Sequence, residues 1–166
     1  MLSSEEVHYF LKLNKVLEDP NILVDLSQKR NRLELISIQD RDHKFRMDIT
    51  TNPKIVLKAT IHHFETNSYL GLMRIDFRGR HKNPEEVLDT LPEKLKRFRG
   101  KWFDIDEPHM HVFVEDYSDL AWAVPLSETN FGIQEIKEMS DICDLIRNFA
   151  KEINLTSELF IQQAIL

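Results

Sequence analysis

Cysteine is almost absent from this sequence. A single one, Cys143, stands among 166 residues, which excludes an intramolecular disulfide framework and with it the small stapled secreted domains. Glycine and proline are scarce too, four and six respectively, too few for a collagen-like or low-complexity chain. No apolar run approaches the roughly 20 residues that span a bilayer. No Gly/Ser-rich or Pro-rich linker divides the chain, and no segment repeats another. The opening Met1-Leu2-Ser3-Ser4-Glu5-Glu6 is acidic where a secretory leader is basic. What is present is 42% hydrophobic and 30% charged, enough for one core that buries roughly two thirds of the unfolded surface. The expectation is a single domain over residues 1–166, in the cytoplasm and away from membranes.

The net charge of −6 hides an uneven distribution. Residues 1–73 hold ten basic and ten acidic side chains, residues 74–101 nine against five, and residues 102–166 three against thirteen. A uniformly acidic surface repels nucleic acid, whereas a local basic segment can still meet phosphate. The acidic C-terminal block has two readings, a solvated helix surface or a contact for a basic protein partner.

Periodicity organises the chain. Ser3 with Glu6 three residues on forms a capping box, and Val7, Phe10, Leu11, Asn14 and Leu17 recur at helical spacing up to Asp19-Pro20. From Arg32 to Phe77 the period becomes two, in Leu33 and Leu35, Phe45-Met47-Ile49, Leu57-Ala59-Ile61 and Met73-Ile75-Phe77. Turns fall near Arg41-Asp42, Thr51-Asn52-Pro53 and Thr66-Asn67-Ser68. Glu85 to Arg99 reads as a basic helix interrupted at Pro92, followed by strands at His109–Glu115 and Ala121–Val124. Ile136, Met139, Cys143, Ile146, Ala150 and Ile153 make a helical stripe, and Thr156 caps a last short helix to Leu166. The order predicts an α+β fold. It is an antiparallel meander of about five to six strands, with an N-terminal helix, a middle basic helix and C-terminal helices packed on the apolar face.

Fixing the apolar face of each strand fixes what stands on the other. Opposite the core positions lie Lys44, Arg46 and Asp48, then Lys58, Thr60 and His62, then Arg74, Asp76 and Arg78, and finally His109 and His111. Solvent-facing charge accounts for much of this. Arg74, Arg78 and Arg80 with His81 are more pointed, because guanidinium forks fit phosphate. His109 and His111 project from one face about 6–7 Å apart, a spacing that serves two chemistries. With Asp76 or His81 the pair suits a transition metal; beside arginines it suits general acid and base work on a phosphodiester. Guanidinium charges repel a cation, so the expectation is acid/base catalysis with no metal and no cofactor. One of His109 and His111 removes the 2′-OH proton, His81 or the other ring protonates the leaving oxygen, and Arg74 with Arg78 neutralises the phosphorane. Lys58 and His62 stand on the same face. Lys96, Arg97 and Arg99 with Trp102 extend the expected RNA track. His63 reads as a core or edge histidine, and Cys143 as a buried small hydrophobe.

The order Arg74-Ile75-Asp76, His81-Lys82-Asn83-Pro84 and Pro108-His109-Met110-His111-Val112 resembles the small bacterial TumE-like toxins. With Trp122-Ala123-Val124-Pro125-Leu126 added, it resembles more closely an uncharacterised family of bacterial and phage proteins carrying Pro-His-x-His and a C-terminal helix. The first resemblance implies attack on RNA at Arg74, Asp76, His81, His109 and His111, with an antitoxin as partner. The second implies a mobile-element protein, including a counter-defence (anti-CRISPR) inhibitor that binds a CRISPR effector without catalysis.

Overall fold

The computed structural model describes residues 2–52 and 57–163. The Ser3 box closes as the sequence requires. Ser3 Oγ accepts from the Glu6 amide at 3.2 Å, and Glu6 Oε2 accepts from the Ser3 amide at 2.7 Å. The helix they open, α1 (Ser4–Lys12), is shorter than the spacing predicts. Its predicted last turn is instead β1 (Val16–Leu17), because Lys15 bonds Asn154 and Leu17 pairs with Leu35. Tertiary pairing there overrides helical spacing.

The strands that follow are β2 (Leu23–Asp25), β3 (Arg30–Ile36), β4 (Lys44–Thr51), β5 (Ala59–Glu65) and β6 (Leu70–Phe77), then β7 (His81–Lys82) and β8 (Trp102–Phe103) around a one-turn α2 (Glu93–Lys96). The chain continues through β9 (His109–Val112), β10 (Trp122–Pro125), α3 (Met139–Glu152) and β11 (Phe160–Gln162). The fold is α+β with an antiparallel sheet, as expected, but the sheet has seven strands rather than five or six, in the order β1-β3-β4-β5-β6-β9-β10. Two further pairs stand beside it, β7 with β8 antiparallel and β11 with β2 parallel.

Two expected helices are corrected. Glu85 to Arg99 is helical only over Glu93–Lys96, since Pro84 and Pro92 disfavour helix in the residues before them. Its apolar residues Leu91, Leu95 and Phe98 form a small second core with Val114 and Trp122. The predicted final helix is replaced by β11, whose partner Leu23–Asp25 lies far away in sequence; residues 164–166 of that predicted helix, like Pro53 of the predicted turn, lie outside the described residues. Among the described residues, one C-terminal helix therefore packs on the sheet, not two.

That helix, α3, buries Ile142, Cys143, Leu145, Ile146 and Phe149 against Leu33, Met47, Ile49, Ile61, Ile75 and Met110. The strand register sets both faces at once. Ile49, Ile61, Ile75 and Met110 form one cross-strand row in the core, and the neighbouring row of Arg32, Asp48, His62, Arg74 and His111 points the other way. Asp76 pairs with Thr60 and His109 in a third row on that same polar face. His63, on the core side, is buried with its Nδ1 3.0 Å from the Arg46 carbonyl.

Candidate functional site

Arg74 and Asp76 stand on β6, His109 and His111 opposite them on β9, so alternation in two paired strands brings four polar side chains into contact. The β7–β8 pair then lies across them. His81 comes to 4.4 Å from the His111 ring centroid, and Phe103 to 4.6 Å from that of His109. Under this cover His109 and His111 lose all solvent exposure, while Arg74 keeps 31% of its side chain exposed. His81 is half-buried.

Hydrogen-bond partners set the proton positions. Asn83 gives its amide nitrogen to the Phe98 and Ala123 carbonyls, at 3.0 and 2.8 Å, and its Oδ1 accepts from the Ala123 amide at 2.8 Å. That fixes the amide, and it also caps the outer edge of β10. Asn83 Oδ1 and the Ala121 carbonyl both lie by His81 Nε2, at 3.1 and 3.0 Å. Both only accept, so Nε2 carries the proton and Nδ1 holds the lone pair. Burial, then the neighbouring His111, pulls the His81 pKa down to about 4, so the ring is neutral at pH 7. The same logic applies to the deeper pair. His109 Nδ1 faces the Glu107 carbonyl at 3.0 Å and His111 Nδ1 the Leu120 carbonyl at 2.8 Å, so both Nδ1 atoms are protonated. Burial lowers the His109 pKa as well.

Their Nε2 atoms converge on Asp76, whose Oδ2 is 3.0 Å from His111 and 3.6 Å from His109. Arg74 Nε donates to Oδ2 at 2.9 Å, and Thr60 Oγ1 donates to Oδ1 at 2.6 Å. Burial works against the Asp76 charge, but the Arg74 charge and the Thr60 hydroxyl favour it, and the carboxyl is held well below the usual range. Arg74 Nη2 also reaches His111 Nε2 at 2.8 Å.

The remaining predicted residues divide. His62 neighbours Arg74 in the cross-strand row, half-buried. Lys58 stands just ahead of β5, also half-buried. Arg78 leaves the strand with a φ of 59° and flanks a separate cleft with Leu57, Phe77 and Leu126. Arg80 pairs with exposed Asp104. Lys96 and Arg97 pair with Glu93 and Glu128, and α2 packs Leu95 beside Val112 and Val124, on the sheet face opposite the histidines. Arg99 is exposed nearby, and Trp102 stands out on β8 over Lys82. The basic segment is thus laced with local ion pairs and is split between two faces.

Four contributors were missed in the sequence: Thr60, Asn83, Phe103 and the backbone carbonyls that fix the tautomers. Thr60 was legible from strand phasing. Phe103 stands on the two-residue β8 and Asn83 directly follows the two-residue β7, and such short strands carry no periodicity to read.

The chain belongs to a family of unknown function, DUF6978, whose profile matches residues 2–155. No curated protein and no solved structure matches it.

Proposed function

We propose that this member of the family is a small cytoplasmic RNA-acting protein, a ribonuclease-like toxin or a phage-borne relative, working on a phosphodiester at the Arg74 mouth of the histidine cluster. One observation carries the reading. Arg74 is partly exposed yet gripped from behind by Asp76 and His111, an arrangement that orients a guanidinium fork for phosphate. Beside it, neutral His81 has its Nε2 proton committed to two carbonyl-type oxygens and its Nδ1 lone pair unclaimed by them, the state a general base requires. His109 and His111 sit behind this front, where they fix Arg74 and the charge of Asp76. No described helix is long and apolar enough to cross a membrane.

A second reading, a non-enzymatic inhibitor of a nucleic-acid-handling complex, is favoured by the position of Lys96 and Arg97 on the opposite face from the cluster. Labelled cellular RNA, and separately guide RNA with its effector, incubated with wild type, Arg74→Ala and His81→Ala, separates the two. Cleavage by wild type, weakened binding with Arg74→Ala and lost turnover with His81→Ala are expected. RNA left intact by wild type overturns the enzyme, and effector inhibition that survives both substitutions promotes the inhibitor.

A further inference from the structure

We infer that Asp76, His109 and His111 form a binding site for one divalent first-row transition ion of the Zn²⁺ class. The inference does not depend on RNA being the substrate.

The three side chains each offer a ligand atom, and these atoms lie within 4.8 Å of one another, in fully buried surroundings. Ligands bound to one ion at about 2.0–2.1 Å stand roughly 3.0–3.5 Å apart. Asp76 Oδ2 is 3.0 Å from one Nε2 and 3.6 Å from the other, so little movement is needed. Both imidazoles are also oriented as ligands are. Each donates Nδ1–H to a backbone carbonyl, Glu107 or Leu120, which leaves Nε2 bare and aimed inward, as in metal sites whose histidines are anchored from behind.

Without a cation this grouping does not close. Two lone pairs and a carboxylate meet at one point, and all three only accept. Arg74 supplies protons to Asp76 and His111, but His109 Nε2 remains buried with no partner. A buried polar atom in that state is costly, and a metal ion would satisfy it together with the other two. Repulsion by guanidinium was the reason to expect no metal from the sequence. Of the arginines counted there, Arg80 is held by Asp104 and Arg78 lines another cleft; only Arg74 touches the cluster, and its partly exposed side chain has room to withdraw. The open coordination positions then face the side from which Arg74 leaves, toward solvent.

The test uses the full chain, stripped with chelator, dialysed and titrated with Zn²⁺ and with Co²⁺ by calorimetry and visible absorption. One equivalent is expected to bind, with d–d bands for Co²⁺, a raised melting temperature, and the largest paramagnetic shifts on the His109 and His111 rings, with smaller ones on His81 beside them. Asp76→Asn and His109→Gln should each weaken binding more than about 100-fold, since even outer-shell changes cost 10–100-fold. Arg74→Ala should bind as tightly or more tightly, because a competing cation is gone. Circular dichroism checks that each variant folds, and the wild-type shifts stand if one does not. No stoichiometric complex in folded wild type, unchanged binding in His109→Gln, or largest shifts on histidines outside this cluster would overturn the site. RNA is not read in any arm, so a loaded protein that spares RNA sinks only the nuclease, and a nuclease that binds no ion sinks only the metal.

Discussion

Lys15 and His109 are both wholly buried polar side chains, on opposite sides of one sheet, and they are satisfied in opposite ways. Lys15 Nζ donates to the Phe10, Leu13 and Ile153 carbonyls at 2.6, 2.9 and 2.9 Å. These carbonyls lie at the C-terminal ends of α1 and α3, where helix dipoles favour a cation. Three donors meet three acceptors, and nothing is left over. Burial pulls the amine down to about 7, while only a protonated amine can serve all three acceptors at once. In the histidine cluster the acceptors outnumber the donors, and one atom is orphaned. A closed polar site joins elements together; an open one is built to receive something.

The largest effect tests the closed site. Lys15→Met should cost about 3–5 kcal/mol in urea unfolding, because three buried carbonyls lose their donor at about 1–3 kcal/mol each and water recovers part of that. Arg74→Met, at the open site, should cost about 1 kcal/mol, the scale of a partly exposed ion pair. Equal losses would break the comparison. Next comes Ile75→Ala, expected at about 2–5 kcal/mol for a fully buried aliphatic. Ile75 stands between Arg74 and Asp76 on β6, so its loss should loosen the proposed RNA binding along with stability.

The contrast also marks what could be read in advance. Strand phasing was legible because β4 buries alternate residues and the apolar residues of β5, β6 and β9 alternate in sequence, and the face carrying Arg74, Asp76, His109 and His111 followed from it. Lys15 was not legible. A lysine near a helix end reads as solvent-exposed, and only the approach of Ile153, distant in sequence, encloses it. The cover over the histidines was hidden for the same reason, as was β11, whose pairing with β2 joins the two ends of the chain. Val114, inside the predicted strand His109–Glu115, lies past the end of β9 and belongs to the smaller core, because the Leu91–Phe98 segment folds over that strand end.

Acid should weaken both sides of the sheet together. Burial lowers the pKa of His63, to about 3, and of His109, so the folded chain refuses protons that the unfolded chain accepts below about 6.5. Stability should therefore be full above that pH and fall as pH drops, by about 1.4 kcal/mol per pH unit for each such histidine. Urea midpoints measured between pH 7 and 4.5 check the slope. His63→Gln should flatten it by one histidine's share. Zn²⁺ should raise stability at pH 7 and lose that gain as pH falls, because protons compete with the ion for the imidazoles that hold it, while the share of His63 stays unchanged; a Zn²⁺ effect on the His63 share would misassign the two faces.

The smallest effect concerns Thr60, whose hydroxyl is the neutral support of Asp76. Thr60→Val keeps the shape and the β-branched strand preference, so only the hydrogen bond is lost, at about 1 kcal/mol. With Oδ1 unsupported, Asp76 relies on Arg74 and His111, and its grip on the guanidinium should change. Thr60→Val and Arg74→Ala should then couple by at least about 0.5 kcal/mol in a double-mutant cycle, because they share one carboxylate. Thr60→Val and His63→Gln project from opposite faces of β5 and share no hydrogen-bond partner, so they should add to within about 0.3–0.5 kcal/mol. If the second pair coupled more strongly than the first, the two polar sites would be one system communicating through β5, and the division between a structural side and a receptive side would fail.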